Sequence, residues 1–240
     1  ALFDGWSNVE FFNQLVAGLA GAQAAPGGPD DGRVYRELIE LMRAAETDDR
    51  SARYWREVSQ AVQAPRWPAP VVQGRGDEFR DRLVPGDVAR RVAEAARGWH
   101  VTAKAVYLWA WGQALAPDFG GGPVAVATVS NGRSDRLSDP FRPLGLFWHL
   151  APVVLRPVPG SVAEQVQAVQ GHLLDADRHG PFPCWRLLRA EGRAEAMGVS
   201  FNYIHFPHGR QGAWPRAVHA TASGSYDRFH PALNLVVRTD

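Results

Sequence analysis

Apolar residues recur at helical spacing through the first hundred positions and then change to short, nearly continuous runs. Phe11, Phe12, Leu15 and Leu19 follow Ser7-Asn8-Val9-Glu10, which has the form of a capping box, so a helix is predicted just after Asp4-Gly5-Trp6. Val34, Leu38, Leu41, Met42 and Ala45 place a second amphipathic helix over 33–45, and SARYWREVSQAV carries a third. Pro and Gly crowd the stretch PRWPAPVVQGRGDE, which is therefore expected to be irregular and to hold a lobe boundary near residue 71. The chain divides there into 1–71 and 72–240.

Beyond that boundary Pro85 to Arg97 reads as a helix closed by Gly98, and Thr102 caps TAKAVYLWAWGQALA. The latter is apolar on nearly every side and is expected to be buried between layers. Gly120-Gly121-Gly122 breaks it. PVAVATV and LAPVVLR then read as strands, Ser161 to Glu164 is a second capping box, and its helix carries Val162, Val166, Val169 and Leu173 on one stripe. VSFNYIHF and LNLVVR complete the strands. Helices thus alternate with strands along the chain.

Composition narrows the function by exclusion. Of the 240 residues, 26 are Lys or Arg and 25 are Asp or Glu, a net charge of +1, so no basic field exists to attract nucleic acid. Hydrophobic residues make up 45%, ample for a core, yet no run approaches the ~18 apolar residues of a membrane span. The one cysteine, Cys184, excludes an internal disulfide; an inert buried thiol is preferred to a nucleophile. The expected setting is cytoplasmic. Only one lysine is present, Lys104.

Phosphate-loop, dinucleotide, nucleophile-elbow and zincin signatures are all missing. His205-x-x-His208 offers two ligands without a third fixed by spacing, and strand-end histidines are preferred to a metal site.

Phe3-Asp4-Gly5-Trp6-Ser7 resembles the end of the His-His-x-x-x-Asp-Gly signature of nonribosomal peptide synthetase condensation domains. The order of later segments is similar too: Tyr54-Trp55, GWHVTAKAVYLWAWGQALA, VAVATVSNGRSD, LGLFWHLAPVVLR and HGPFPCWRLLR. His149 and Leu150 depart from the Asn and Thr usual in the fourth segment.

The resemblance implies a two-lobed, chloramphenicol-acetyltransferase-like α+β fold with a mixed β-sheet, residues 1–240 supplying the end of the first lobe and most of the second. It implies amide formation between a donor acyl or peptidyl thioester and the amine of an acceptor aminoacyl thioester. Both would ride on phosphopantetheine arms of peptidyl carrier proteins, beside an adenylation domain, with no cofactor bound by the domain itself. The motif histidines would precede Ala1. Asp4 and Arg133 are expected to form a bridge, with Gly5 close to substrate. Trp6, His149, Asn202 and His205 are candidate tunnel residues, and Ser7 is read as a helix cap. A coenzyme A-dependent acyltransferase and a non-catalytic docking module are the alternatives.

Overall fold

A computed structural model describes residues 3–19, 21, 32–67, 80–141, 143–205 and 232–239. The expected boundary near residue 71 lies outside them, as does His208. Three helices come first: α1 (Gly5–Leu19), α2 (Arg33–Glu46) and α3 (Asp49–Ala61). Asp48 caps α3 by accepting from the backbone N–H groups of Arg50 and Ser51. Next are α4 (Gly86–Gly98) and α5 (Ala103–Leu115), the latter capped by Thr102, whose hydroxyl accepts from Ala105 N–H.

A 3₁₀ turn, Ala116–Phe119, ends in left-handed Gly120 and leads into β1 (Val124–Ser130). Then follow β2 (His149–Leu155), α6 (Val162–Arg178), α7 (Cys184–Ala190), β3 (Val199–His205) and β4 (Leu233–Thr239). The Ser161–Glu164 capping box is formed in full. Its helix buries Val166, Val169, Leu173 and Ala176, while Val162 is exposed at the first turn.

The sheet is mixed, in the order β2-β1-β3-β4. β1 and β2 are antiparallel, whereas β3 runs parallel to β1 and β4. Side chains alternate across it, as the pleat requires. Val124, Val126, Ala151, Val153 and Phe201 face Leu108 of α5 and Val166, Val169 and Leu173 of α6. Ala125, Ala127 and Val154 face Val62 and Leu188 of α7 on the other side. With both faces covered, β1 is the continuous apolar run that its sequence shows.

Helix α5 is not buried on every side. Ala105, Leu108, Gly112 and Leu115 form the buried stripe, Trp109 is half-buried with its Nε1 donating to Gln165 Oε1 at 3.1 Å, and Ala110, Gln113 and Ala114 are exposed. The helix lies between α4 and α6 in one layer, so its apolar excess meets neighbouring helices and, in part, solvent. Among the described residues, no helix is long and apolar enough to cross a membrane.

Candidate functional site

Asp4 and Arg133 meet. Asp4 precedes the first residue of α1, and its Oδ1 accepts from Ser7 N–H at 2.7 Å, so Asp4 is the N-cap. This corrects the reading of Ser7 as the cap. Ser7 lies inside the first turn, fully buried, and its hydroxyl donates to Gly145 O at 2.8 Å while accepting from Arg133 Nη2 and Gly145 N–H. Glu10 binds Gln14 instead of closing a capping box.

The Arg133 guanidinium approaches both carboxylate oxygens of Asp4: Nη2 lies 3.0 Å from each, and Nε is 3.2 Å from Oδ2. Nη1 donates to the carbonyls of Pro140 and Pro143 at 2.6 and 3.1 Å. The Phe147 ring lies 4.2 Å from the guanidinium carbon, and Phe147 N–H donates to Asp4 Oδ2 at 3.2 Å. With side chains only 5% and 1% exposed, the two charges are tolerated because their polar atoms are matched. Three segments distant in sequence, around residues 4–7, 133 and 145–147, are tied together by this contact.

Beside it is a cavity of about 410 Å³. Its position follows from the sheet. Pairing between β1 and β3 covers Ala127 with Ser200 and Thr128 with Phe201; beyond that point β1 continues only with β2, and β3 only with β4. The cavity occupies the resulting gap. Val129, Asn131 and Arg133 line one side, and Ser200, Asn202, Tyr203 and His205 the other. Asp4, Gly5 and Trp6 border it from α1. Trp6 is half-buried; its Nε1 donates to Phe141 O at 2.9 Å. Gly5 is the first helical residue, so its N–H stands outside the intrahelical ladder. His205, at the exposed end of β3, shares a 2.7 Å hydrogen bond with Thr239 Oγ1.

His149 does not line this cavity, contrary to its reading as a tunnel candidate. It pairs with Ser130, whose hydroxyl donates to Asp177 of α6, and so faces the helix layer; its neighbour Leu150 points into the cavity by strand alternation. Burial holds the His149 imidazole below its ordinary pKa, opposed by the Asp177 carboxylate and a hydrogen bond to the Phe147 backbone. Cys184 is buried, and its thiol is pushed up to about 12 by that burial, which leaves it inert near neutrality. No group of metal-ligating side chains occurs among the described residues.

One lining residue carried no signal in the sequence analysis. Lys104, in the first turn of α5, reaches the gap and donates to Val129 O at 2.8 Å; Val129 is paired with Leu150 of β2 but lies past the last residue of β1 that pairs with β3. Burial pulls its ammonium below the ordinary lysine pKa, with Asp177 opposing. Only the absence of any other lysine marked it in advance.

The architecture is shared with solved condensation domains. The first condensation domain of the CDA synthetase superposes with a TM-score of 0.65 at 20% identity, over 85% of this chain and 47% of that one. A nonribosomal peptide synthetase bound to α-methyl-L-serine-AMP gives 0.70 at 20% identity, over 99% of this chain and 27% of the other. The fold is thus the α+β, chloramphenicol-acetyltransferase-like fold of condensation domains.

The Condensation domain family matches residues 1–207, and the chain belongs to that family. A plipastatin synthase chain of Bacillus subtilis (strain 168) is 26% identical over 160 residues, covering 64% of this chain and 6% of that protein. The chain spans about half the length of the solved condensation domain compared above (47%).

Proposed function

We propose that this chain contributes to a condensation domain that joins a carrier-bound acyl or peptidyl thioester to the amine of a carrier-bound aminoacyl thioester, forming an amide. The observation that supports it best is the position of Asp4-Gly5-Trp6 at the cavity, with Asp4 held by Arg133. An Asp anchored by a guanidinium and by backbone N–H groups is a support and not a base. Proton removal from the attacking amine needs a base other than Asp4, and the histidine of the motif that Asp4-Gly5 resembles, with an ordinary pKa near 6.5, suits that role. The Gly5 N–H is offered to the oxyanion that develops as the amine attacks the thioester carbon. The thiolate of the donor arm then leaves, and the new amide remains on the acceptor arm.

On this reading phosphopantetheine belongs to the substrates. Peptidyl carrier proteins are the partners, an adenylation domain is the neighbour, and the setting is cytoplasmic. Similarity to a plipastatin synthase supports a carrier-bound donor over free acyl-coenzyme A. The test supplies the complete gene product with loaded donor and acceptor carrier proteins and follows the acceptor by mass spectrometry. Amide product on the acceptor carrier is expected. Product with acyl-coenzyme A and none with the donor carrier would favour the acyltransferase alternative; no product with either would favour a docking module.

A further inference from the structure

The placement of Lys104 runs against fold stability on two counts. It stands in the first turn of α5, where the helix dipole disfavours a cation, and that turn holds no acidic residue. It is also largely withdrawn from water, which penalises an ammonium. Its hydrogen bond to Val129 O uses one of the three donors that an ammonium carries.

Charge makes the position more informative. Asp4, Arg133, Lys104 and His205 are the residues with acidic or basic side chains among those lining the cavity, and Asp4 and Arg133 neutralise each other. Asp177, whose carboxylate opposes the effect of burial on Lys104, is hydrogen-bonded to Ser130 on the helix side of β1 and does not line the cavity. Among the described residues, no carboxylate forms an ion pair with Lys104. Among the described residues lining the cavity, Lys104 is thus a cation with two donors left over and no lining carboxylate to meet them.

We propose that Lys104 is a specificity-determining residue whose ammonium receives a carboxylate on the acyl group of a thioester substrate. This rests on the thioester reading above. The ligand class follows from the chemistry: a carboxylate takes both spare donors and cancels the charge, whereas an alkyl group displaces water from them and satisfies neither. Val129 O would stay bonded to the remaining N–H, so binding requires no opening of the strand gap.

The test compares glutaryl-pantetheine with pentanoyl-pantetheine, equal in chain length, by titration calorimetry on the complete gene product. The wild type should bind the glutaryl probe about ten- to a hundredfold more tightly. Lys104→Met should bring the two to parity. Lys104→Gln keeps a donor for Val129 O without the charge, and it should also lose the preference even if the Met variant fails to fold. A lysine that merely held the strand gap would leave the ratio of the two affinities unchanged in the Gln variant, and that result would overturn the proposal. Equal binding of both probes by the wild type overturns this inference alone. Binding of neither overturns the thioester reading together with it.

Discussion

A β-carbon added to Gly132 would overlap the carbonyl oxygen of Phe147, so the loop carrying Arg133 passes the segment carrying Phe147 at backbone contact distance. Gly132 also has φ +63°, in the left-handed region that a side chain disfavours. Gly121 has a similar φ of +73° with nothing within 4 Å of its would-be β-carbon. The pair separates strain from collision. Gly121→Ala should lose about 1 kcal/mol, while Gly132→Ala should lose at least about 2–3 kcal/mol, since backbone must move. Urea unfolding of both variants measures the difference, and equal losses would show that the two segments are not in contact.

Within the helix layer, Leu108 is fully buried among β1, β2 and α6, and Leu108→Ala should destabilise by about 2–5 kcal/mol. Trp109 is half-buried on the flank of the same helix, so Trp109→Ala should lose less than its size suggests. Unfolding midpoints in denaturant order the two. A larger loss at Trp109 would mean that α5 is turned about its axis relative to the packing described above.

The buried imidazole of His149 predicts a pH dependence. Its folded pKa is depressed below 6.5 chiefly by burial, so the unfolded chain binds the proton more readily. Stability is then fully present above about pH 6.5 and declines as pH falls toward the folded value. His172 and His179, whose pKa values are lowered first by burial, act in the same sense. Replacing His149 with Asn should reduce the loss of unfolding free energy between about pH 7.5 and about pH 5.5. An unchanged slope would mean that His149 keeps an ordinary pKa in the folded state.

Local signals were legible where nothing distant competed. The Ser161–Glu164 box formed as its spacing predicts, because both partners are exposed and satisfy only each other. At α1 the Ser7–Glu10 spacing points to Ser7 as the cap, yet Asp4, three residues earlier, takes that role. The choice is made by Arg133 and Gly145, more than a hundred residues away, which engage the Ser7 hydroxyl. The contact between Asp4 and Arg133 was anticipated through resemblance, not through any local pattern. His149 was misplaced because strand parity decides which side of β2 faces the gap, and the parity is fixed by register with β1. Lys104 was missed for a related reason: its surroundings exist only where β1 and β3 separate.

The account depends most directly on the Asp4–Arg133 bridge as the support of the site. Breaking one member of a buried ion pair strands the other, so Asp4→Ala and Arg133→Ala should each lose about 3–5 kcal/mol. Lys at 133 should rescue only in part, because an ammonium cannot reproduce the planar fork. The deciding measurement is a double-mutant cycle on unfolding free energy in the complete gene product, with amide formation followed on the same four proteins. The double variant should lose well under the sum of the single losses, and both single variants should depress product formation. Strict additivity, or full product formation from Asp4→Ala, would contradict the account.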